Sequence, residues 1–257
     1  MKLRNLVLAL ATILPVSAAQ AITYGVDDNG KHPFVGGLVG TFSSGTYVYC
    51  SGTLIAPRVF LTAAHCNVSA ETGRDDVFVT FDAHADGNSH LLHGWYYPNP
   101  AYSKHQNDPH DIAIVILDAP VTDVTPARLP TLNQFDNIAH NQKFTVVGYG
   151  GQERVIDHSK PVINYLDNRE WSVAEFNAVG PGYIRLSQNA ATGDGGACFG
   201  DSGGPNFFGA GDGETNIVAG TTITGDTQCV ATNVIERMDT AASREFLGTF
   251  SAYLTLP

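Results

Sequence analysis

The chain has 257 residues, enough for one large domain or two small ones with a sizeable core, which excludes a small disulfide-knotted scaffold. At 43% apolar, 10% aromatic and 15% charged residues it is too apolar for a disordered chain and too polar for a membrane bundle. A formal net charge of −11 sets the surface against phosphate backbones and anionic lipid, so no nucleic-acid partner is expected.

Lys2 and Arg4 precede an apolar stretch over residues 6–16, followed by Ser17, Ala18, Ala19, Gln20 and Ala21. A cationic start, a short apolar run and small closing residues read as a secretory signal peptide over 1–21. The run falls short of the roughly 20 residues that span a bilayer, and Pro15 interrupts it, so no stable membrane anchor is expected. Ala19-Gln20-Ala21 is a good cleavage site and leaves Ile22 as the first residue, with Val16-Ser17-Ala18 as the competing site. Losing the two leader cations takes the charge from −11 to −13. Export to an extracellular or periplasmic space fits four cysteines, an even number best read as two disulfides. Of the three pairings, Cys50 with Cys66 and Cys198 with Cys229 are preferred because each closes a moderate local loop, contributing about 3 kcal/mol per bridge. Zinc is the alternative use of the cysteines, but there is no Cys-x-x-Cys pair.

Beyond residue 22, short β-branched and aromatic runs occupy 47–55, 59–62, 77–81, 112–117, 144–147, 183–186, 217–223 and 233–238, most of them bounded by Gly, Pro, Asn or Asp. Many short strands without alternating helices predict an all-β fold. Segment 122–142, with no long apolar run, reads as a linker between two β halves. Near the end, Phe246, Leu247, Phe250 and Leu254 fall on one face at helical spacing after a cap at Asp239 or Thr240.

The strongest chemical signal is Gly200-Asp201-Ser202-Gly203-Gly204-Pro205, whose flanking glycines let backbone amides turn toward one point and leave a serine hydroxyl accessible. Gly200-x-Ser202-x-Gly204 also satisfies the nucleophile elbow of α/β-hydrolases, but that fold needs a histidine after the serine. All nine histidines, from His32 to His158, precede Ser202. Serine is a poor nucleophile at neutral pH, so a histidine must take its proton and a buried carboxylate must hold that histidine's tautomer. Thr62-Ala63-Ala64-His65-Cys66 and Asp111-Ile112-Ala113 supply candidates for both.

In order, these three segments resemble the Thr-Ala-Ala-His-Cys, Asp-Ile-Ala and Gly-Asp-Ser-Gly-Gly-Pro signatures of the trypsin/chymotrypsin family of serine endopeptidases. Lesser matches at Cys50-Ser51-Gly52-Thr53-Leu54-Ile55 and Val147-Gly148-Tyr149-Gly150 extend the resemblance over nearly all of the chain beyond the leader. It implies two packed six-stranded antiparallel β-barrels with a C-terminal α-helix, the first half over 22–135 and the second over 136–257. The resemblance assigns His65 as general base then acid, Asp111 as its orienter and Ser202 as the nucleophile that forms an acyl-enzyme. The Gly200 and Ser202 amides become the oxyanion hole. It implies a monomer acting on polypeptide substrates, with no metal and no organic cofactor.

In the family a new N-terminal Ile-Val-Gly-Gly inserts, and its ammonium pairs with the aspartate before the nucleophile. The corresponding residues are Ile22-Thr23-Tyr24-Gly25 and Asp201, with Thr23 and Tyr24 departing from the pattern. Signal peptidase could create Ile22 directly. A trypsin-like pocket would carry an aspartate six residues before the nucleophile, where this chain has Gly196. Gly196, Gly225 and Asn233 map to the pocket base and walls, Phe199 to its mouth and Thr224 to the substrate-pairing strand. The expected substrate residue is therefore apolar or aromatic, with Asp194 and Asp226 close enough in sequence to bring a charge. His84, His90, His93, His105 and His110 match no strong ligand spacing and read as solvated loop residues. Ile223 and Thr224 replace a family Ser-Trp pair, and this departure with Tyr24 supports a second reading, a catalytically weak binding or adhesion module on the same fold.

Overall fold

A computed structural model describes residues 22–69, 73–104, 108–152, 154–157 and 160–257, so the leader, His105 and His158 lie outside the described residues. Among the described residues fifteen strands follow in chain order. They are β1 Val26–Asp27, β2 Val35–Phe42, β3 Gly45–Ala56, β4 Val59–Thr62, β5 Asp76–Thr80, β6 Leu92–Pro98, β7 Ala113–Leu117, β8 Lys143–Gly148, β9 Arg154–Asp157, β10 Lys160–Ile163, β11 Glu170–Val179, β12 Tyr183–Ser187, β13 Pro205–Phe208, β14 Val218–Gly225 and β15 Thr232–Arg237. Near the end of the described residues an α-helix, α1, spans Ala241–Gly248.

Strands β2-β3-β4-β7-β6-β5 close into an antiparallel barrel. A second six-stranded barrel runs β11-β12-β15-β14-β13-β8 and closes through β8 on β11, with β1 added outside β11. Closure leaves no unpaired edge within either ring.

The period of two along a strand explains how the barrels pack. In β7 and the residue before it, Ala113, Val115 and Leu117 face the first barrel's interior, while Ile112, Ile114 and Ile116 face the core shared with the second barrel. Both faces are buried, so the sequence reads as a continuous apolar run rather than an alternating one. Strand β8 behaves alike: Phe144 and Val146 fill the second barrel, and Val147 joins the shared core. Segment 122–142 crosses between the barrels, burying Ala127 and Leu129 in that core.

Thr240 is the helix cap, its Oγ1 accepting from the Ser243 amide at 3.1 Å. Asp239 has another task, receiving the Arg237 guanidinium on both oxygens at 2.8 and 2.9 Å. Phe246 and Leu247 pack on the shared core from α1, and Phe250 and Leu254 reach it from the turn that follows.

A buried polar cluster ties the two barrels together. Arg169 Nε donates to Asp28 Oδ2 at 2.8 Å, while its Nη1 donates to the carbonyls of Val35 and Phe81 on the first barrel and to the Tyr149 hydroxyl. Asp28 also takes His32, whose other ring nitrogen meets Glu214 at 2.7 Å. Arg169, Asp28 and His32 are each at most 2% exposed, so the charges are paired where burial demands it.

Candidate active site

Thr62 ends β4, and a single 3-10 turn over Ala64–Cys66 lifts His65 out of the first barrel while Cys66 bonds back to Cys50. The buried Tyr96 hydroxyl donates to the Ala63 carbonyl and lies 3.3 Å from that of Ala64, fixing the turn from β6. Burial pushes this phenol well above its ordinary range, so it stays a donor. Tyr96→Phe is expected to lower stability by about 1 kcal/mol, read as a lower urea midpoint with unchanged slope.

Asp111 stands just before β7 at the seam of the two barrels, 4% exposed. Its Oδ2 lies 2.7 Å from His65 Nδ1, and its Oδ1 accepts the His65 amide at 2.9 Å. One carboxylate thus holds both the ring and the backbone of His65, leaving Nε2 as the free end of the imidazole.

Ser202 arrives from the other barrel, on the loop before β13. It shares with His65 a cleft of about 280 Å³, walled by Cys198, Phe199, Ile223, Thr224 and Gly225. Gly203 has φ +79°, and a Cβ there would lie 2.1 Å from Thr62 Oγ1, so only glycine lets the loop press this closely on β4. Gly200, at φ +97°, turns the chain just ahead of the serine. Neither the Gly200 nor the Ser202 amide donates to another backbone group among the described residues, so two N–H groups stay available beside the hydroxyl.

Ser51, which the sequence reading passed over as a functional residue, locks this loop from the first barrel. Its amide donates to the Ser202 carbonyl at 2.8 Å. Its Oγ donates to the Gly200 carbonyl and accepts from the Tyr149 amide, both at 3.0 Å. The signal available was its place beside the disulfide cysteine Cys50, within the lesser matching stretch over 50–55.

Asp201 is fully buried and points away from the cleft, accepting the Cys198 and Gly150 amides at 2.8 Å each. Burial raises its pKa to about 8 despite those two amides, and the nearby Glu170 adds to the rise. Ile22 is also fully buried, but its nitrogen donates to Glu170 Oε2 at 3.2 Å rather than to Asp201. No hydrogen bond joins Ile22 to Asp201 among the described residues; Glu170 meets the Ile22 nitrogen and its charge reaches Asp201. The missed signal was alternation: Glu170 is in phase with Ser172, Ala174 and Phe176 on the inward face of β11.

Two residues expected in the pocket, Gly196 and Asn233, are not among those walling this cleft. Gly196 bridges Thr23, with N–O distances of 3.0 Å both ways, and is backed by the Gln188 side chain, so it does not line the cleft. Asn233 is 1% exposed and donates to Asn206 Oδ1 at 2.9 Å beneath the cleft. Phe199, Thr224 and Gly225 do line it, joined by Asp226. Asp194 is directed instead to Lys143 and the Ser187 hydroxyl. Asp226 accepts four backbone amides, from Gln228, Val230, Ala231 and Thr232, which hold its pKa below the usual carboxylate range despite burial. The second disulfide, Cys198–Cys229, fastens this wall to the serine loop.

Two closed antiparallel barrels with a histidine–aspartate pair facing a serine loop define the serine-peptidase type of fold. The trypsin family model matches residues 26–242, and the chain belongs to the trypsin family. Its relatives include the clotting factor G beta subunit of Tachypleus tridentatus, 27% identical over 66% of this chain and 61% of that protein. Another is a chymotrypsin of Phaedon cochleariae, 30% identical over 61% of this chain and 58% of that protein. The chain thus spans about three fifths of the length of these relatives.

Proposed function

We propose that this chain is a secreted serine endopeptidase in which Ser202 attacks the substrate carbonyl, His65 carries the proton and Asp111 orients and stabilises His65. The observation that carries this reading is the double hold of Asp111 on His65 beside Ser202 in one open cleft. His65 takes the Ser202 proton as the acyl-enzyme forms, returns it to the leaving amine, and then activates the water that releases the acyl group. The Gly200 and Ser202 amides stabilise the oxyanion, where one donor is worth about 10²- to 10³-fold in rate.

In this reading the leader over 1–21 is removed and Ile22 becomes the free amine. No helix among the described residues is long and apolar enough to cross a membrane. The cleft favours an uncharged, apolar or aromatic substrate residue, because the carboxylate of Asp226 in its wall is already occupied by four backbone donors.

The test is mass spectrometry of cleavage products from a denatured protein mixture, comparing the wild-type chain with Ser202→Ala. Cuts after Phe, Tyr or Leu that vanish in the variant support the reading. Cuts after Lys or Arg keep the mechanism and overturn the pocket assignment. No variant-sensitive cuts, from protein shown to begin at Ile22, would favour the binding module. N-terminal sequencing of active protein is expected to start at Ile22, and a start at Ala19 overturns the proposed processing.

A further inference from the structure

Beside Asp111, three side chains that are far apart in sequence converge. Asp108 and His110 come from the segment that leads into β7, and Glu236 comes from β15 of the other barrel. Their ligating atoms all lie within 4.8 Å of one another. Asp108 is pressed against the turn after β11, where a Cβ on Gly182 would lie 2.4 Å from its carboxyl carbon. His110 is held at φ +53°, a left-handed conformation that costs a non-glycine residue energy.

The second observation concerns Glu236 itself. It is 1% exposed, yet neither carboxylate oxygen makes a hydrogen bond of normal geometry. A buried carboxylate this short of well-aligned donors is costly, and its close neighbours include two more carboxyl groups, Asp108 and Asp111, with the Asp111 backbone reaching it only weakly. Such a group is compensated either by a proton shared with Asp108 or by a cation, and the two are told apart by experiment. Among the described residues, the ion pairs of Asp108 and Glu236 supply only the His110 imidazole, 3.3 Å from Asp108 Oδ1.

We propose that Asp108, His110 and Glu236 form a zinc-type divalent cation site, with water as the fourth ligand, bridging the two barrels next to the triad aspartate. Zinc at about 2.0 to 2.1 Å from oxygen and nitrogen ligands has tetrahedral edges of about 3.3 Å, the separation observed between His110 and Asp108. Calcium fits poorly, because it takes six to eight oxygens and the site offers three side chains, one of them an imidazole. Ions can enter from the adjoining cavity of about 580 Å³, which Pro109 and Asp111 help to line. A dication here also draws on the negative potential of Asp111, so occupancy opposes the imidazolium that His65 must form during peptide cleavage. The site itself does not depend on that activity.

The experiment is calorimetric titration of zinc chloride into the full chain carrying Ser202→Ala, which removes self-digestion. One equivalent is expected to bind with micromolar affinity. Adding Glu236→Gln, or separately His110→Ala, should weaken it at least tenfold. His110 is partly exposed, so its variant tests the site without removing the buried carboxylate. Binding weaker than millimolar in the parent chain overturns the proposal, as when Glu236 and Asp108 merely share a proton. So does binding that both variants leave unchanged, which would place the ion on surface histidines.

Discussion

Replacing Ser202 with alanine is expected to lower kcat by about 10⁶-fold while leaving the fold intact. The tolerance follows from the way the residue is held. Ser202 engages the first barrel through its backbone carbonyl, which accepts the Ser51 amide, and no hydrogen bond of its hydroxyl supports the loop among the described residues. Circular dichroism and the urea midpoint should therefore match wild type while hydrolysis of a peptide anilide collapses. Asp111→Asn should cost less, about 10⁴-fold, because the amide keeps the geometry but holds the imidazole in the wrong tautomer. If Ser202→Ala retains more than a hundredth of wild-type kcat, Ser202 is not the nucleophile.

The second large effect is expected from the amine of Ile22. In a chain that still carries residues ahead of Ile22, its nitrogen is an amide and Asp201 titrates at about 8. A free aspartate titrates near 3.9, so the folded form binds a proton that the unfolded form releases, and stability falls as pH rises between these values. Cleavage before Ile22 would place an ammonium beside Glu170, whose charge reaches Asp201, and the sign of the effect changes. The amine, ordinarily at about 7.7 to 8.0, is raised by its carboxylate partners. Its contribution is complete below the unfolded value and is lost as pH rises through the folded one. At pH 7 the cleaved chain should exceed the uncleaved chain in stability by roughly 3 to 5 kcal/mol, measured by urea unfolding. Activity should fall at alkaline pH with the same midpoint, and Glu170→Gln should move that midpoint downward. An activity plateau that persists well above the titration of the amine contradicts this.

Strands β4 and β7 were legible in the sequence because both their faces are buried, which turns each into an uninterrupted apolar run next to a candidate catalytic residue. Strand β2 was not. Three of its eight residues are glycines, and a Cβ on Gly36 would lie 2.6 Å from the Thr80 carbonyl, so close barrel packing replaced the residues that announce a strand. Strand β11 was missed for another reason, since its clean alternation includes Glu170 and Glu175 and so lacks an apolar run. His65, Asp111 and Ser202 were legible because each lies in a local motif. Glu236 and Ser51 were not, because their roles exist only where two distant segments meet. A carboxylate within the apolar run 233–238 was the one hint.

The placement of His65 and Asp111 on one barrel and of Ser202 on the other has a consequence for the chain's early life. Neither half alone carries all three of these residues, so on the proposed reading a newly made chain is harmless to itself and its neighbours until the halves dock. Ser51 and Arg169 are the contacts that register docking, one at the serine loop and one at the far side of the seam. Onset of hydrolysis during refolding would then mark the final assembly of the halves rather than the closure of either ring.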